Sequence, residues 1–496
     1  MDMFFGESLS VQAALFLLLA LAFALSFEFV NGFHDTANAV ATVIYTHALK
    51  PNTAVVWSGC WNLIGVLSSS GAVAFGIIAL LPVELVINVG SGAGFAMVFA
   101  LLISAIVWNL GTWYLGLPAS SSHTLIGSIM GVGLANSLLS ANHAFGDGVN
   151  WAKAKDVGLS LLVSPVVGFC AAALLLLLAK ALVRKPELYS APDPGKTPPL
   201  WIRSILILTC TGVSFAHGSN DGQKGMGLIM LILIGILPGA YALNLETSTA
   251  AIAHLQIAAR TTGDILKSYA GATALKAEVA GDELSIFLSS AGTVSERTYA
   301  ALQMKNGYIA ELLHGKSSLH ALSRKERTEL RTVAYLVGRS LDKLHTKNTF
   351  TVSSERNHLT TYRADLDNVT RVIPDFVKYA IALALGLGTM IGWKRIVVTV
   401  GEKIGKAHLT YAQGAAAEMV AMSTIGAADY WGLPVSTTHV LSSGVAGTMA
   451  ANRSGLQTNT LKNLLLAWVL TLPVCVLLGA TFFAAGLYIV AHWLGL

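Results

Sequence analysis

Long apolar segments recur along most of this chain and are separated by short polar stretches. Most of them reach the roughly 20 residues that a helix needs to cross about 30 Å of hydrocarbon. The pattern therefore predicts many membrane-spanning helices. The apolar segments lie near residues 9–30, 53–81, 92–115, 157–183, 202–217, 225–243, 376–393, 411–430 and 461–492, and two shorter stretches rich in Ser and Thr at their start lie at 118–140 and 434–452.

One polar region interrupts this pattern. Residues 245–371 hold half of the chain's 32 Lys and Arg and 13 of its 27 Asp and Glu. The apolar residues of the region recur at helical spacing, which predicts a small helical domain that faces water. Retention of Lys and Arg on the cytoplasmic side is the rule for membrane proteins, so we expect this domain in the cytoplasm. The apolar positions include Leu312, Leu319, Leu322, Leu330 and Leu336.

Two motifs occur twice. Residues 116–127 match residues 432–443 at an offset of 316, with Gly, Leu, Pro, three hydroxyl residues and His in common. Residues 34–38 match residues 220–224 less closely, at an offset of 186. The two offsets differ by nearly the length of the polar region 245–371. The second copy is therefore predicted to be the first copy with a domain inserted.

These observations predict an all-α polytopic membrane protein built from two homologous repeats, with broken helices, re-entrant hairpins and an inserted helical soluble domain. We favour inverted repeats, although hydropathy leaves the parity of the crossings open, and interruptions at matching places point to a transporter's binding site. The predicted parts are a first transmembrane repeat (1–183), a polar linker (184–203), the start of the second repeat (204–244), the inserted domain (245–371) and the remainder of the second repeat (372–496).

Composition supports the membrane assignment. The chain is 54% hydrophobic and 12% charged, which lies outside the range of ordinary soluble domains. Its four cysteines are scattered singly, so they indicate neither disulfides nor a metal site. A net charge of +5 is typical of basic cytoplasmic loops and does not indicate nucleic-acid binding.

The repeated hydroxyl motif is a candidate anion site. Pro118 and Pro434 can open a helix, and the hydroxyl residues that follow them lie among the free N–H groups of its first turn. The helix dipole and these donors attract a tetrahedral oxyanion. Capping of the helices by the same hydroxyls is the alternative. The candidate binding residues are Ser120, Ser121, Ser122, Thr124, Ser436, Thr437 and Thr438.

Asp35 and Asp221 lie in or beside apolar segments, where an unpaired carboxylate costs at least about 2.5 kcal/mol. A carboxylate next to an anion is repulsive unless a cation or proton lies between them, which predicts coupled entry of a cation and an anion. Capping of a broken helix is the alternative. Further candidates for cation coordination are Asn31, Asn38 and Asn220, and Gly32, Gly218 and Gly222 would let the backbone unwind there.

Four other ionisable residues lie in apolar surroundings. His123 and His439 occupy matched positions behind the hydroxyls, where they could relay protons or serve as structural residues. Glu28 and Glu418 have no counterpart in the other repeat and are candidates for handling a cation or a proton. No cofactor and no resident metal are predicted.

At these motifs the sequence resembles the inorganic phosphate transporter (Pit) family, and specifically its bacterial low-affinity phosphate permease branch. Residues 31–38 and 214–227 carry the resemblance together with the two hydroxyl motifs. It implies uptake of inorganic phosphate, or of its neutral complex with a divalent metal, driven by protons in bacteria and by sodium in other branches.

The chain departs from the family pattern at two positions. His34 and Lys224 stand where the family has Asn. Lys224 comes three residues after Asp221 and could replace a bound cation there, which favours proton coupling over sodium coupling. Anchoring of the lysine at the membrane interface is the alternative.

Three other functions remain open at this stage. These are symport of sulfate or another oxyanion, sodium-coupled phosphate symport and, more remotely, intramembrane hydrolysis by a Ser, a His and an Asp. Because these residue types recur in both halves, we expect a carrier and not an enzyme. We expect a multi-pass protein of the cell (inner) membrane whose partners are phosphate, protons, divalent metal carried with phosphate and the lipid bilayer. The oligomeric state, a homodimer included, is left open.

Overall fold

The computed structural model describes residues 9–81, 85–86, 90–139, 146, 149–193, 195–289 and 292–494. Within these residues the fold is helical, and an isolated bridge between Gly405 and Leu456 is its only strand-like pairing. The helices before the linker are α1 (Val11–Asp35), α2 (Ala37–Tyr45), α3 (Pro51–Ser68), α4 (Ala72–Ile78), α5 (Gly92–Tyr114), α6 (Ser121–Leu139) and α7 (Trp151–Leu182).

The helices after the linker fall into two groups. Those with apolar surfaces are α8 (Leu200–Ile236), the short α9 (Pro238–Tyr241), α15 (Asp375–Met390), α16 (Lys394–Glu402), α17 (Tyr411–Tyr430), α18 (Thr437–Ala451) and α19 (Thr458–Ile489). The polar region contributes α10 (Thr249–Ala270), α11 (Ala277–Leu288), α12 (Glu296–Leu312), α13 (Arg324–Thr346) and α14 (Ser353–Thr370).

Several helices have the length and composition of membrane spans. In the described part of the chain, five qualify singly, and two bent pairs would raise the number to seven. The bent pairs are α3 with α4, at 77°, and α14 with α15, at 76°. The segment predicted near 202–217 and most of the segment predicted near 225–243 form one continuous helix, α8, which ends at Ile236 and is followed by the short α9. Residue 140, the end of one predicted segment, lies outside the described residues.

Helices at matching places in the two halves make matching contacts. Residues 34–38 and 220–224, with Asp35 and Asp221, are the two Asp motifs. Helix α1 packs on α15, and α8, which carries the second Asp motif, packs on α3. Helix α6 packs on α19 just as α18 packs on α7. Each half thus places its hydroxyl-motif helix against the last long helix of the other half, and the two motifs are brought to the centre of the molecule.

The glycines of the Asp motifs serve helix packing and not the unwinding that the sequence suggested. A Cβ on Gly32 would lie 2.3 Å from the carbonyl oxygen of Leu385, and one on Gly218 would lie 2.1 Å from that of Asn62. Helix α8 continues through Gly218 and Gly222 without a break. Small residues that let backbones approach closely are typical of helix contacts in membranes. In the first half, the helix that carries Asp35 is interrupted at Thr36, between α1 and α2.

Helices α10 to α14 enclose an apolar core of their own, which runs from Ala242 to Val369. Leu319, Leu322, Leu330 and Leu336 are buried in it, while Leu312 is half-buried. Serines at the starts of α10, α12 and α13 accept backbone N–H groups of the first turn, so these helix ends are locally encoded. The residues 290–291 of this region lie outside the described part.

Candidate functional site

The two hydroxyl motifs start helices α6 and α18 in the same way. Gly116 and Gly432 have φ of 68° and 65°, in the left-handed region that favours glycine. In each case the following Leu N–H returns to a carbonyl five residues earlier, a Schellman-type end for α5 and α17. The chain then turns through Leu-Pro and begins a new helix. Both motifs therefore present a helix N-terminus at a fixed angle.

Ser120 and Ser436 act as caps of these helices. The hydroxyl oxygen of Ser120 accepts the N–H of His123 at 3.3 Å, and that of Ser436 accepts the N–H of His439 at 3.1 Å. The capping alternative thus applies to the first hydroxyl of each motif. Thr124 donates to the carbonyl oxygen of its own turn at Ser120 and to Asn109 Oδ1, so it faces away from the other hydroxyls.

Asp35 is the point at which both hydroxyl motifs meet. It is the last residue of α1 and is 2% exposed. Ser121 of α6 donates to its Oδ2 at 3.3 Å, and Thr438 of α18 donates to its Oδ1. Asn38 donates to Oδ1 at 2.9 Å. One buried carboxylate therefore links the helix ends contributed by the two halves.

His217 lies between the two aspartates. Its Nε2 is 3.5 Å from a carboxylate oxygen of Asp35 and 3.5 Å from one of Asp221. Its Nδ1 is 2.8 Å from Asn62 Oδ1, and because an amide oxygen only accepts, this contact requires a proton on Nδ1. A neutral His217 therefore presents a lone pair to two carboxylates. A second proton, on Nε2, would face an acceptor on either side.

Lys224 is fully buried and pairs with Asp221. The Nζ to Oδ1 distance is 2.7 Å, one helical turn apart on α8. The same ammonium donates to Ser122 Oγ at 2.5 Å, and Ser122 in turn donates to the carbonyl oxygen of Val435. A lysine at the membrane interface would be exposed, so the anchoring alternative is wrong for this residue. The ammonium occupies the interior beside the second aspartate.

Lys224 and Asn38 make equivalent contacts across the two repeats. They are related by the offset of 186 that relates Asp221 to Asp35. Lys224 donates to Ser122, and Asn38 donates to Thr438 at 3.2 Å. Ser122 and Thr438 are themselves related by the offset of 316. Each half thus extends its Asp-motif side chain to the third hydroxyl of the other half, and Asn38 also donates weakly to Thr437, at 3.5 Å.

The rings of His123 and His439 lie next to each other, tilted by 39°, where the two helix starts meet. Their ring centroids are 4.6 Å apart, and His439 also contacts Trp468 at 4.1 Å. Among the described residues, neither His123 Nδ1 nor His439 Nε2 has a hydrogen-bond partner. Within that same set, no serine hydroxyl is bonded to a ring nitrogen of either histidine.

The remaining candidates divide between two places. Glu28 lies against Gly225, next to Lys224, and Asn31 donates to it at 3.4 Å. Asn220 donates to the carbonyl oxygen of Leu433, just before the second hydroxyl motif. Glu418 is buried elsewhere, between Thr42 and Thr209, both of which donate to it. The first three candidates adjoin Asp35, His217 and Asp221, which we call the aspartate cluster. Glu418 instead joins α17 to α2 and α8.

The aspartate cluster has the composition of a cation site. One ligand atom from each of Asp35, His217 and Asp221 can be chosen so that all three lie within 4.8 Å of one another. Carboxylate oxygens suit hard cations, and an imidazole suits a proton or a transition metal. The sequence interpretation missed His217. The signal was present, because the offset of 186 pairs it with Asn31, and His217 precedes Asp221 by four residues on a helix.

Several named proteins are similar to this chain over nearly its whole length. The chain is 42% identical to the low-affinity inorganic phosphate transporter PitA of Escherichia coli K12, over 98% of each chain, and 42% identical to PitB of the same strain, over 99% of each. It is 27% identical to a probable low-affinity inorganic phosphate transporter of Bacillus subtilis, over 92% of this chain and 93% of that one.

A solved structure titled the sodium-dependent phosphate transporter shares the fold, with a TM-score of 0.51 and 19% identity over 95% of this chain and 98% of that one. The relatives are named as transporters, which agrees with the expectation of a carrier and not an enzyme. The apolar helices make this chain a multi-pass membrane protein. Residues 31–479 match the phosphate transporter family, so the chain belongs to that family, in its bacterial low-affinity Pit branch.

Proposed function

We propose that this protein imports inorganic phosphate across the cell (inner) membrane by proton symport. The single observation that carries the proposal is the buried row Asp35, His217, Asp221 and Lys224 beneath two helix N-termini. The names of the relatives supply the substrate class. The arrangement of charges supplies the coupling.

The charges of the directly contacting groups favour a proton as the coupling ion. Asp35 and Asp221 contribute two negative charges, and Lys224 contributes one positive charge beside them. A proton on His217 brings this set to neutrality and lets both carboxylates remain ionised. An anion is then repelled less by the cluster. Binding of a proton and binding of phosphate therefore reinforce each other.

The hydroxyls and amides of α6 and α18 provide the proposed phosphate cradle. Ser121, Ser122, Thr437 and Thr438 are all buried. Within the described chain, hydrogen bonds engage none of their backbone N–H groups, which are the free donors of a first helical turn. Because the two helices start at Asp35, their positive dipole ends converge on one place. Ser120 and Ser436 shape this cradle as caps.

Lys224 explains why sodium is dispensable in this proposal. Its ammonium takes the position beside Asp221 that a bound cation would otherwise fill, at 2.7 Å from the carboxylate. Phosphate enters as the free anion or as its neutral complex with a divalent metal, and the neutral complex demands less compensating charge. The Asp35–His217–Asp221 cluster would then lie next to the metal of the complex.

We further infer that the two repeats are inverted and that residues 245–371 form a cytoplasmic domain. Each repeat contributes five matched helical parts. In the first repeat these are α1 with α2, α3 with α4, α5, α6 and α7, and in the second repeat they are α8 with α9, α15 with α16, α17, α18 and α19. An odd number of crossings turns the second repeat over relative to the first. The separate apolar core of α10 to α14 supports a domain inserted into the second repeat.

The substrate is tested by uptake of radiolabelled phosphate into proteoliposomes, with empty liposomes as the control. An excess of unlabelled phosphate or arsenate should compete, while sulfate should compete weakly because it has no proton to donate to a carboxylate at neutral pH. Equal competition by sulfate would support a general oxyanion carrier. Absence of uptake above empty liposomes would contradict the proposal.

A further inference from the structure

A cavity lies where the polar helices α13 and α14 meet α4 and the end of α8. Its walls are unusually basic. Arg331 and Arg339 of α13, Arg363 of α14, and Arg371 just beyond α14 all line it. None of its lining residues belongs to the proposed transport site.

Only half of this positive charge is compensated. Arg363 pairs with Asp342 at 2.9 Å and with Asp367, and Arg371 pairs with Asp367 at 2.9 Å. Among the described residues, no carboxylate lies within ion-pair distance of Arg331 or Arg339. The cluster therefore carries two more positive than negative charges.

Arg331 shows that the cavity is built for a charged occupant. Its side chain is almost wholly buried, at 8% exposure, and in the described structure its Nε has no hydrogen-bond partner. Its guanidinium lies over the ring of Tyr335, 5.5 Å from the centroid. Burial lowers the pKa of this guanidinium, because an unpaired charge is disfavoured away from water. A buried unpaired charge of this kind is strongly destabilising unless an anion accompanies it.

Arg339 completes the same face of the cavity. Its Nη2 donates to the carbonyl oxygen of Ala79 at 3.3 Å, which fixes the guanidinium against the end of α4. Its Nε also lacks a hydrogen-bond partner among the described residues. Guanidinium groups with free N–H donors match the oxygens of phosphate in geometry and charge.

We propose that this arginine cavity binds an anionic phosphate group, at a second site separate from the transport pathway. The group belongs to free inorganic phosphate or to the headgroup of an anionic lipid, since both present negatively charged non-bridging phosphate oxygens. Ile234 of α8 lines the cavity ten residues after Lys224, about 15 Å along the helix. An occupant therefore ties the polar helices to the helix that carries the second aspartate.

The test uses a cysteine placed in the cavity at Thr370, in the purified full-length protein. Thr370→Cys is labelled with a maleimide with and without inorganic phosphate, at equal ionic strength set with chloride. Labelling of the native cysteines is measured in the wild-type chain and subtracted. Ser317→Cys, on the same polar region away from the cavity, is the matched control and should be labelled at the same rate in every condition.

Severalfold slower labelling of Thr370→Cys by inorganic phosphate in detergent supports the site with free phosphate as occupant. Slower labelling only in nanodiscs that contain phosphatidylglycerol, compared with phosphatidylcholine, supports the site with a lipid headgroup as occupant. Adding Arg339→Gln should abolish either effect, and Arg331→Lys should weaken it, because the charge remains but the fork of donors is lost. No slowing in any condition, or equal slowing with Arg339→Gln, would overturn the proposal.

Discussion

The ammonium of Lys224 lies 2.7 Å from the carboxylate of Asp221, with both side chains out of contact with water. The equivalent residue of the first repeat is Asn38, which approaches Asp35 at 2.9 Å without bringing a charge. The two halves of the site therefore have the same layout and different charge. This asymmetry is the basis of the coupling that we propose.

Lys224→Asn should either abolish phosphate uptake or make it depend on sodium. The substitution leaves Asp221 without its cation, and a bound sodium ion could then compensate the carboxylate. Uptake is measured in proteoliposomes with and without sodium at fixed pH. His217→Asn, which likewise restores the residue of the first repeat, should reduce the response to pH. Unchanged pH and sodium dependence in Lys224→Asn would show that the lysine is structural.

Asp35→Asn and Asp221→Asn should each abolish coupled uptake while the protein still inserts into the membrane. Each substitution removes one of the two carboxylate charges next to His217, on which the proposed proton binding depends. Asp156→Asn, at an exposed position on α7, is the matched control and should transport normally. Membrane insertion is checked by the amount of monodisperse protein after extraction. Wild-type uptake by both variants would rule out a role of the carboxylates in coupling.

The second hydroxyl of each motif should affect affinity, whereas the first should affect stability. Ser121→Ala and Thr437→Ala each remove a donor from the proposed cradle and should weaken phosphate binding by about 1 kcal/mol, or about fivefold in half-saturation. Ser120→Ala and Ser436→Ala remove helix caps and should cost about 1 kcal/mol of stability. Half-saturation concentrations and thermal denaturation separate the two effects. If the cap variants and the cradle variants changed half-saturation and thermal stability to the same extent, these separate roles would be wrong.

Much of the candidate site was predictable because its motifs occur twice in the sequence. The matched motifs identified Asp35, Asp221 and the hydroxyls, and the spacing of Asp221 and Lys224 predicted their ion pair. The spacing of His217 from Asp221 was visible in the sequence and was overlooked, whereas its contact with Asp35, 182 residues earlier, depends on the packing of α1 near α8. Neither the assignment of Ser120 and Ser436 as caps nor the contact of Thr124 with Asn109 could be deduced from residue type.

For the fold too, features that depend on local sequence were predictable, whereas features that depend on contacts between distant residues were not. Apolar segment lengths predicted most helices, because the length needed to span a bilayer is a local property. The continuity of α8 was not predictable, since glycines permit either unwinding or close packing. The contact of Gly218 with the backbone at Asn62 selects packing.

The position of the polar region is tested from outside intact cells. The basic residues of 245–371 favour retention in the cytoplasm, so Ser317→Cys should be closed to an impermeant thiol reagent until the membrane is permeabilised. Tyr114→Cys, at an exposed position at the end of α5, is labelled in parallel and reports the accessibility of that end of the membrane domain. Labelling of Ser317→Cys in intact cells would place the region outside.

The proton coupling is tested most directly by phosphate uptake into proteoliposomes under one imposed gradient at a time. With sodium equal on both sides, an inward proton gradient should drive accumulation of radiolabelled phosphate above its equilibrium level. With pH equal on both sides, an inward sodium gradient should leave uptake at that level. Accumulation driven by sodium alone, with no response to the proton gradient, would contradict the roles assigned to His217 and Lys224.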